Sequence, residues 1–360
     1  MKFLLFTLLL CFVFLSARAQ IIEDSTCFAY FKITDRLRRG DTLDKATWHN
    51  FVQNKAIQVY MNDQGANDNY YEYYRRLMQI VYMPQKDSIL QRQLKDSINY
   101  WFTYLIYQYK VNEEGMKAYL HRINANPGAY FDSCYKYCYT GLAVKDRKKA
   151  PDEIFSFIPL HSDAHAENKW VIYSLLCAYF NDKNKLGILG GHELHHVLRP
   201  QKDIDSVADK DRGVLTLMLR TVNEGSADLV DKKYMTYQAT ALLDFQRGTY
   251  EDFYSLGQKQ LPRIDSLLQL SATRDSSYTL YQLLKGADNS SGHVPGTYMA
   301  YTIEQAGLKQ QLLAHLDDPF YFFSLYDEAS RKKDSKAYRF SFTTVNYLKQ
   351  LQQQYRDKWK

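Results

Sequence analysis

Proline and glycine are sparse here, 8 and 16 among 360 residues. No internal repeat or low-complexity tract is visible, which leaves solenoid, collagen-like and linker-rich classes without support. Beyond residue 20 no apolar run approaches the roughly 20 residues a membrane-spanning helix needs. Basic residues exceed acidic ones only slightly, 46 to 40, and are dispersed apart from Arg147-Lys148-Lys149 and Arg331-Lys332-Lys333. That gives no case for nucleic acid, which calls for a concentrated basic face. Cysteine is scarce too: five in all, with Cys134 and Cys138 as the one close pair. Without a second such pair a thiolate metal site has little support, and buried thiols or one disulfide are expected of Cys27, Cys134, Cys138 and Cys177.

Aromatic residues, by contrast, are plentiful, with 31 tyrosines and 19 phenylalanines spread along the chain. They read first as core and groove packing. The opening MKFLLFTLLLCFVFLSARAQ has a charged Lys2, an apolar run from Phe3 to Leu15 and a small-x-small Ala17-Arg18-Ala19. It is a signal-peptide pattern covering 1–19, and predicts an exported protein, periplasmic or extracellular. Cys11 follows three leucines rather than a small residue, so it does not look lipid-accepting. Losing Lys2 and Arg18 leaves 44 basic residues against the 40 acidic ones.

Residues 20–150 read as a helical region. Trp48, Phe51, Val52 and Val59 recur at helix spacing, and so do Leu90, Leu94, Ile98, Trp101 and Leu105 after a capping Asp87 or Ser88. Asn126-Pro127-Gly128 predicts a turn. Ile154–Ile158 alternates and is stopped by Pro159, predicting a short strand near an edge, able to pair with an extended peptide. Trp170–Phe180 is almost continuously apolar and reads as a buried strand, with a turn and helix cap in Asn181-Asp182-Lys183-Asn184. Residues 151–235 are read as the catalytic core, and 236–360 as a helical region completing the cleft.

The chemistry is concentrated in GGHELHHVLRP, residues 190–200. A helix over Lys185–Leu198, stopped by Pro200, puts His192 and His196 one turn apart on one face with Glu193 beside them. This is H-E-x-x-H: two imidazoles for one Zn2+, and a carboxylate able to take a proton from activated water without binding the metal. His195 projects about 100° away from His196 and cannot join the same site. Three fixed residues recur by accident in about one chain per hundred of this length, so a third ligand is required downstream.

RTVNEGSADLVDKKY offers one, in a segment predicted to be helical over Val214–Tyr234. Glu224 can complete the zinc site, and Asp228, four residues on, can accept the outer N–H of a zinc-bound histidine. Alternatively both carboxylates solvate a helix surface. His161 and His165 are also four apart, but no third ligand stands out and they read as loop histidines.

His192-Glu193-x-x-His196 followed by Asn223-Glu224-x-x-x-Asp228 resembles the gluzincin, thermolysin-like metallopeptidases. More widely, the chain is similar to a bacterial family of exported zinc-dependent peptidases, on these motifs and a later GHVPGTYMAYTIE segment. The motifs cover about 45 residues. The resemblance implies Glu224 as third ligand, Asp228 behind a ligand, one zinc per chain and a peptide or protein substrate. It also implies an α+β, predominantly helical fold, with a small sheet beside two zinc-bearing helices. Two departures stand out: no Gly-x-Met-Glu-Asn stretch of the aminopeptidase kind is present, and Ala227 stands where thermolysin-like chains usually have Ser. Glu193 is then the expected general base, and Tyr298, His293 and Tyr301 are candidates to stabilise the oxyanion, Tyr298 first. The competing readings are a zinc hydrolase of a non-peptide amide or ester, and an exported helical binding protein with a silent zinc site.

Overall fold

The computed structural model describes residues 20–167, 169–202, 207–273, 284–285, 287, 290–333 and 335–358. The expected signal peptide at 1–19 lies outside them. Short polar residues head one helix after another: Asp44, Asn54 and Asn67 accept the backbone N–H of Thr47, Ala56 and Tyr70. Such a cap satisfies a donor the helix cannot, and is worth about 1 kcal/mol. The result is the predominantly helical α+β class expected, with one four-stranded sheet among the described residues.

The chain divides into two compact units, residues up to 128 with 149–179, and 129–148 with 180–360. The first holds β1 (Ile21–Glu23), α1 (Ser25–Arg38), α2 (Lys45–Val52), α3 (Lys55–Asp63), α4 (Asp68–Tyr82), α5 (Asp87–Leu94) and α6 (Trp101–Ala125). α7 (Pro127–Cys138) follows, starting on the proline of the expected Asn-Pro-Gly turn; Pro at a first helical position lacks only an N–H that has no partner there anyway. The periodic stretch expected after Asp87 is two helices, broken at residues 95–100.

The sheet belongs to the first unit and runs β1, β2 (Ile154–Ile158), β4 (Trp170–Ser174), β3 (Ala164–Glu167). β2 is therefore central, parallel to both neighbours, and not the edge strand its following proline suggested. Its alternation misled because both faces are buried, as parallel strands require. The edges are β1 and the antiparallel β3. Tyrosines fill the same unit's core: Tyr30 and Tyr82 hydroxyls meet at 3.0 Å, and Tyr109 donates to the His161 carbonyl at 2.9 Å. His161 Nε2 lies 2.6 Å from the Tyr70 hydroxyl, its ring against Tyr60 and Phe102, while His165 sits on β3 beside Glu167. Both histidines have structural surroundings.

The apolar run Trp170–Phe180 is a strand only to Ser174; α8 (Leu175–Asn184) takes over, and the expected turn residues 181–184 are its last turn. A buried strand running into a buried helix shows no change of period. Asp182 accepts the Gly187 N–H at 2.8 Å, but α9 (Ile188–Leu198) has Gly187 itself at its N-cap and no side-chain cap, so the cap expected of residues 181–184 is not formed.

In the second unit α9 is followed by α10 (Asp209–Tyr237), α11 (Asp244–Thr273), α12 (His293–Gln305), α13 (Lys309–Ala314), α14 (Pro319–Ser330) and α15 (Phe342–Tyr355). α10 has 29 residues, so it is about 43 Å long. α12 crosses it at a pair of glycines: a Cβ on Gly225 would lie 2.4 Å from the Gly296 carbonyl oxygen, and one on Gly296 2.4 Å from that of Thr221. Both gaps are too short for any side chain. Bare backbone at the crossing brings the start of α12 onto the middle of α10, where Glu224 and Asp228 are.

Candidate metal centre

α9 presents His192 and His196 on one face, as the four-residue spacing dictates. Their rings lie 4.9 Å apart between centroids, and their Nε2 atoms face each other at 3.2 Å. α10 adds Glu224, whose Oε2 is 3.4 Å from His196 Nε2. The three donor atoms all lie within 4.8 Å of one another.

The far side of each ring settles what these atoms are. His192 Nδ1 donates to Asp231 Oδ1 at 2.9 Å, and His196 Nδ1 to Asn223 Oδ1 at 3.1 Å. Each imidazole's proton is thereby committed outward, leaving two Nε2 lone pairs and a carboxylate oxygen pointed at one spot. A proton can satisfy two such acceptors; a divalent cation satisfies three. Donors about 2.0–2.1 Å from a tetrahedral zinc stand about 3.3 Å apart, close to the 3.2 and 3.4 Å found here. The residues fit zinc.

Electrostatics agree. Burial would raise the Glu224 carboxyl, but His196, His293 and His192 outweigh it and hold it well below the ordinary range. Burial likewise opposes a charge on His196, yet Glu224 and then Glu193 outweigh that and raise its affinity for a proton. Glu193 is buried, and its negative field reaches the same histidine.

Asn223 binds three groups into one arrangement. Its Oδ1 also accepts from Arg199 Nε at 2.8 Å, and its Nδ2 donates to Glu224 Oε1 at 2.8 Å. His195 is turned away: fully buried, it donates Nε2–H to the Gly141 carbonyl at 3.1 Å. Burial first, then the neighbouring His196 and Arg199, holds it neutral.

Asp228 differs from expectation. It is 3.8 Å from His192 Nδ1, and Asp231 holds that nitrogen instead. Asp228 accepts from His293 Nδ1 at 3.1 Å and from the Thr297 hydroxyl. His293 Nε2 in turn lies 3.4 Å from Glu224 Oε2. Burial disfavours a charge on His293, but Asp228 and Glu224 outweigh it and raise its pKa to about 9.

Tyr298 is not brought to the centre. Five residues after His293 is about 140° around α12, and its ring is buried against Tyr254, 4.7 Å between centroids, and Gly257. Its hydroxyl accepts the Tyr338 N–H at 3.4 Å. Tyr301 does face the carboxylates; burial, then Asp228 and Asp231, raise its pKa, and its hydroxyl has no hydrogen-bond partner among the described residues. Asp231 went unnoticed in the sequence although its signal is there: seven residues after Glu224 is two turns, about 20° from the same face. Thr297 carries no such signal, because its role depends on the Gly225–Gly296 crossing.

Two imidazoles and a carboxylate from α9 and α10, His192 oriented by Asp231 and both His196 and Glu224 by Asn223, define a candidate mononuclear metal centre of the two-histidine, one-carboxylate class. The chain belongs to the family described as "Putative zinc dependent peptidase (DUF5700)", which it matches over residues 48–335. That span contains every residue of the centre. No curated protein and no solved structure matches the chain. Among the described residues no helix is long and apolar enough to cross a membrane.

Proposed function

We propose that this chain is an exported, gluzincin-type peptidase that binds one zinc through His192, His196 and Glu224 and hydrolyses peptide bonds. The observation that carries the reading is the convergence of His192 Nε2 and His196 Nε2 from α9 with a Glu224 carboxylate oxygen from α10 at spacings a tetrahedral zinc requires, with Glu193 next to His192 on α9. Zinc, when bound, supplies Lewis acidity toward the scissile carbonyl and the attacking water.

Glu193 takes the proton of that water and returns it to the leaving amine. His293 donates Nε2–H to the negative charge developing on the carbonyl oxygen, a role favoured by the Asp228 carboxylate on its other nitrogen. Thr297, through its bond to the same carboxylate, keeps Asp228 aimed at the ring. Asn223 holds His196 and Glu224 in mutual register.

Cleavage of a peptide library by the wild-type chain and by Glu193→Gln tests this. The substitution is expected to lower the rate about 100- to 10,000-fold while zinc stays bound. Equal cleavage by both would remove Glu193 as base. Cleavage by neither, with zinc bound to both, would shift the substrate class away from peptides.

A further inference from the structure

Behind His192 lies a buried lysine, Lys232, that the hydrolytic reading does not use. Asp231 Oδ1 takes the His192 Nδ1 proton at 2.9 Å, and its other oxygen lies 2.9 Å from Lys232 Nζ. All three groups are buried. Lys232 Nζ is also 3.7 Å from Asp228 Oδ1, so one ammonium serves two carboxylates. His192, Asp228 and Asp231 themselves offer donor atoms within 4.8 Å of one another, but here an ammonium supplies the countercharge.

A carboxylate on the outer N–H of a ligating histidine pushes electron density through the ring and makes the inner nitrogen a stronger donor. An ammonium on that carboxylate's second oxygen pulls the other way, and burial strengthens the pull. We propose that Lys232 is a positioning residue that limits how much negative charge Asp231 passes through His192 to the metal, keeping the ion more weakly held and more Lewis-acidic than His192–Asp231 alone would leave it. This rests on the zinc reading above. It goes beyond it by assigning a moderator to the ligand's partner.

The bland alternative is that Lys232 only neutralises two buried carboxylates so that α10 can pack. The two accounts differ in sign. If Lys232 moderates the donor, Lys232→Met lets Asp231 act at full strength and tightens zinc by up to about 10-fold. Asp231→Asn weakens it by about 10- to 100-fold, and Lys232→Arg changes little. If Lys232 only supports packing, both Lys232→Met and Asp231→Asn weaken binding.

The experiment is zinc affinity of the full mature chain, measured by competition with a chromophoric chelator, and repeated with cobalt to follow the d–d bands. Tighter zinc and shifted cobalt bands in Lys232→Met, against weaker zinc in Asp231→Asn, are the expected pair. Unchanged or weaker zinc in a folded Lys232→Met overturns the inference and leaves the zinc site standing. Should Lys232→Met not fold, Asp231→Asn is compared with the Asp231→Asn/Lys232→Met double variant. Equal affinities are expected, since the lysine acts through Asp231; a further loss in the double overturns the inference. A wild-type chain that takes up no zinc overturns the site itself, and this inference with it.

Discussion

At the scale of single residues, the centre is built by partners facing outward as much as by donors facing inward. His192 and His196 are equivalent in sequence and different in surroundings: one is backed by a carboxylate with its ammonium, the other by a neutral amide that also holds Arg199. Arg199 is buried enough that its pKa falls to about 10, against the pull of Glu224 and Asp317. His293 meets the centre through the Glu224 and Asp228 carboxylates and through its ring, stacked on that of His192 at 6.1 Å between centroids. Replacing it by Ala is expected to lower kcat/KM about 100- to 1,000-fold, the cost of losing one donor to a developing oxyanion, with zinc content unchanged. A loss of zinc in His293→Ala would make it a ligand instead, and an unchanged rate would remove it from the chemistry.

At the scale of elements, the decisive feature is the crossing of α10 and α12 on Gly225 and Gly296. Gly296→Ala puts a methyl 2.4 Å from the Thr221 carbonyl, which is backbone and has no room to yield. Overpacking of this kind costs about 1–3 kcal/mol, and thermal unfolding should show it as a lowered Tm. The helices must also part, drawing His293 and Thr297 off Asp228, so activity should fall further than stability alone explains. An active, equally stable Gly296→Ala would contradict that geometry.

Much of the element scale was legible beforehand. The helix carrying His192 and His196 starts three residues after the expected Lys185 and ends at the expected Leu198, and α10 extends five residues before and three after the expected Val214–Tyr234. β1 and β3 were not legible. Three and four residues carry no period, and β1 pairs with a strand more than 130 positions away. The site followed the same division. Residues one, four and seven apart on one helix could be found by counting, whereas those delivered by another helix, Thr297 and the true orientation of Tyr298, depended on a crossing that no single segment encodes.

At the scale of the whole molecule, the two units have separate chemistry. The candidate metal centre lies entirely in the second, and the first is held by buried polar and aromatic groups, among them Glu113. Burial would raise that carboxyl, but Arg38 and Lys117, within 2.5 and 2.8 Å, outweigh it and lower its pKa. A carboxylate depressed by folding stabilises the fold above its ordinary pKa of 4.5 and loses that contribution as pH falls below it. Glu113→Gln should therefore be less stable at pH 7, by about 1.5–3 kcal/mol for a buried charged hydrogen bond. The gap to wild type should narrow below pH 4.5; a gap constant from pH 7 to 3 would contradict the assignment.

The central claim, that the second unit holds one zinc on His192, His196 and Glu224, is tested most directly by metal analysis of the purified chain and four single variants. The account expects about one zinc per chain in wild type and in His195→Ala. It expects loss of that zinc in His192→Ala and His196→Ala, and much weakened binding in Glu224→Ala. Zinc retained in His192→Ala and His196→Ala, or lost in a folded His195→Ala, would contradict it.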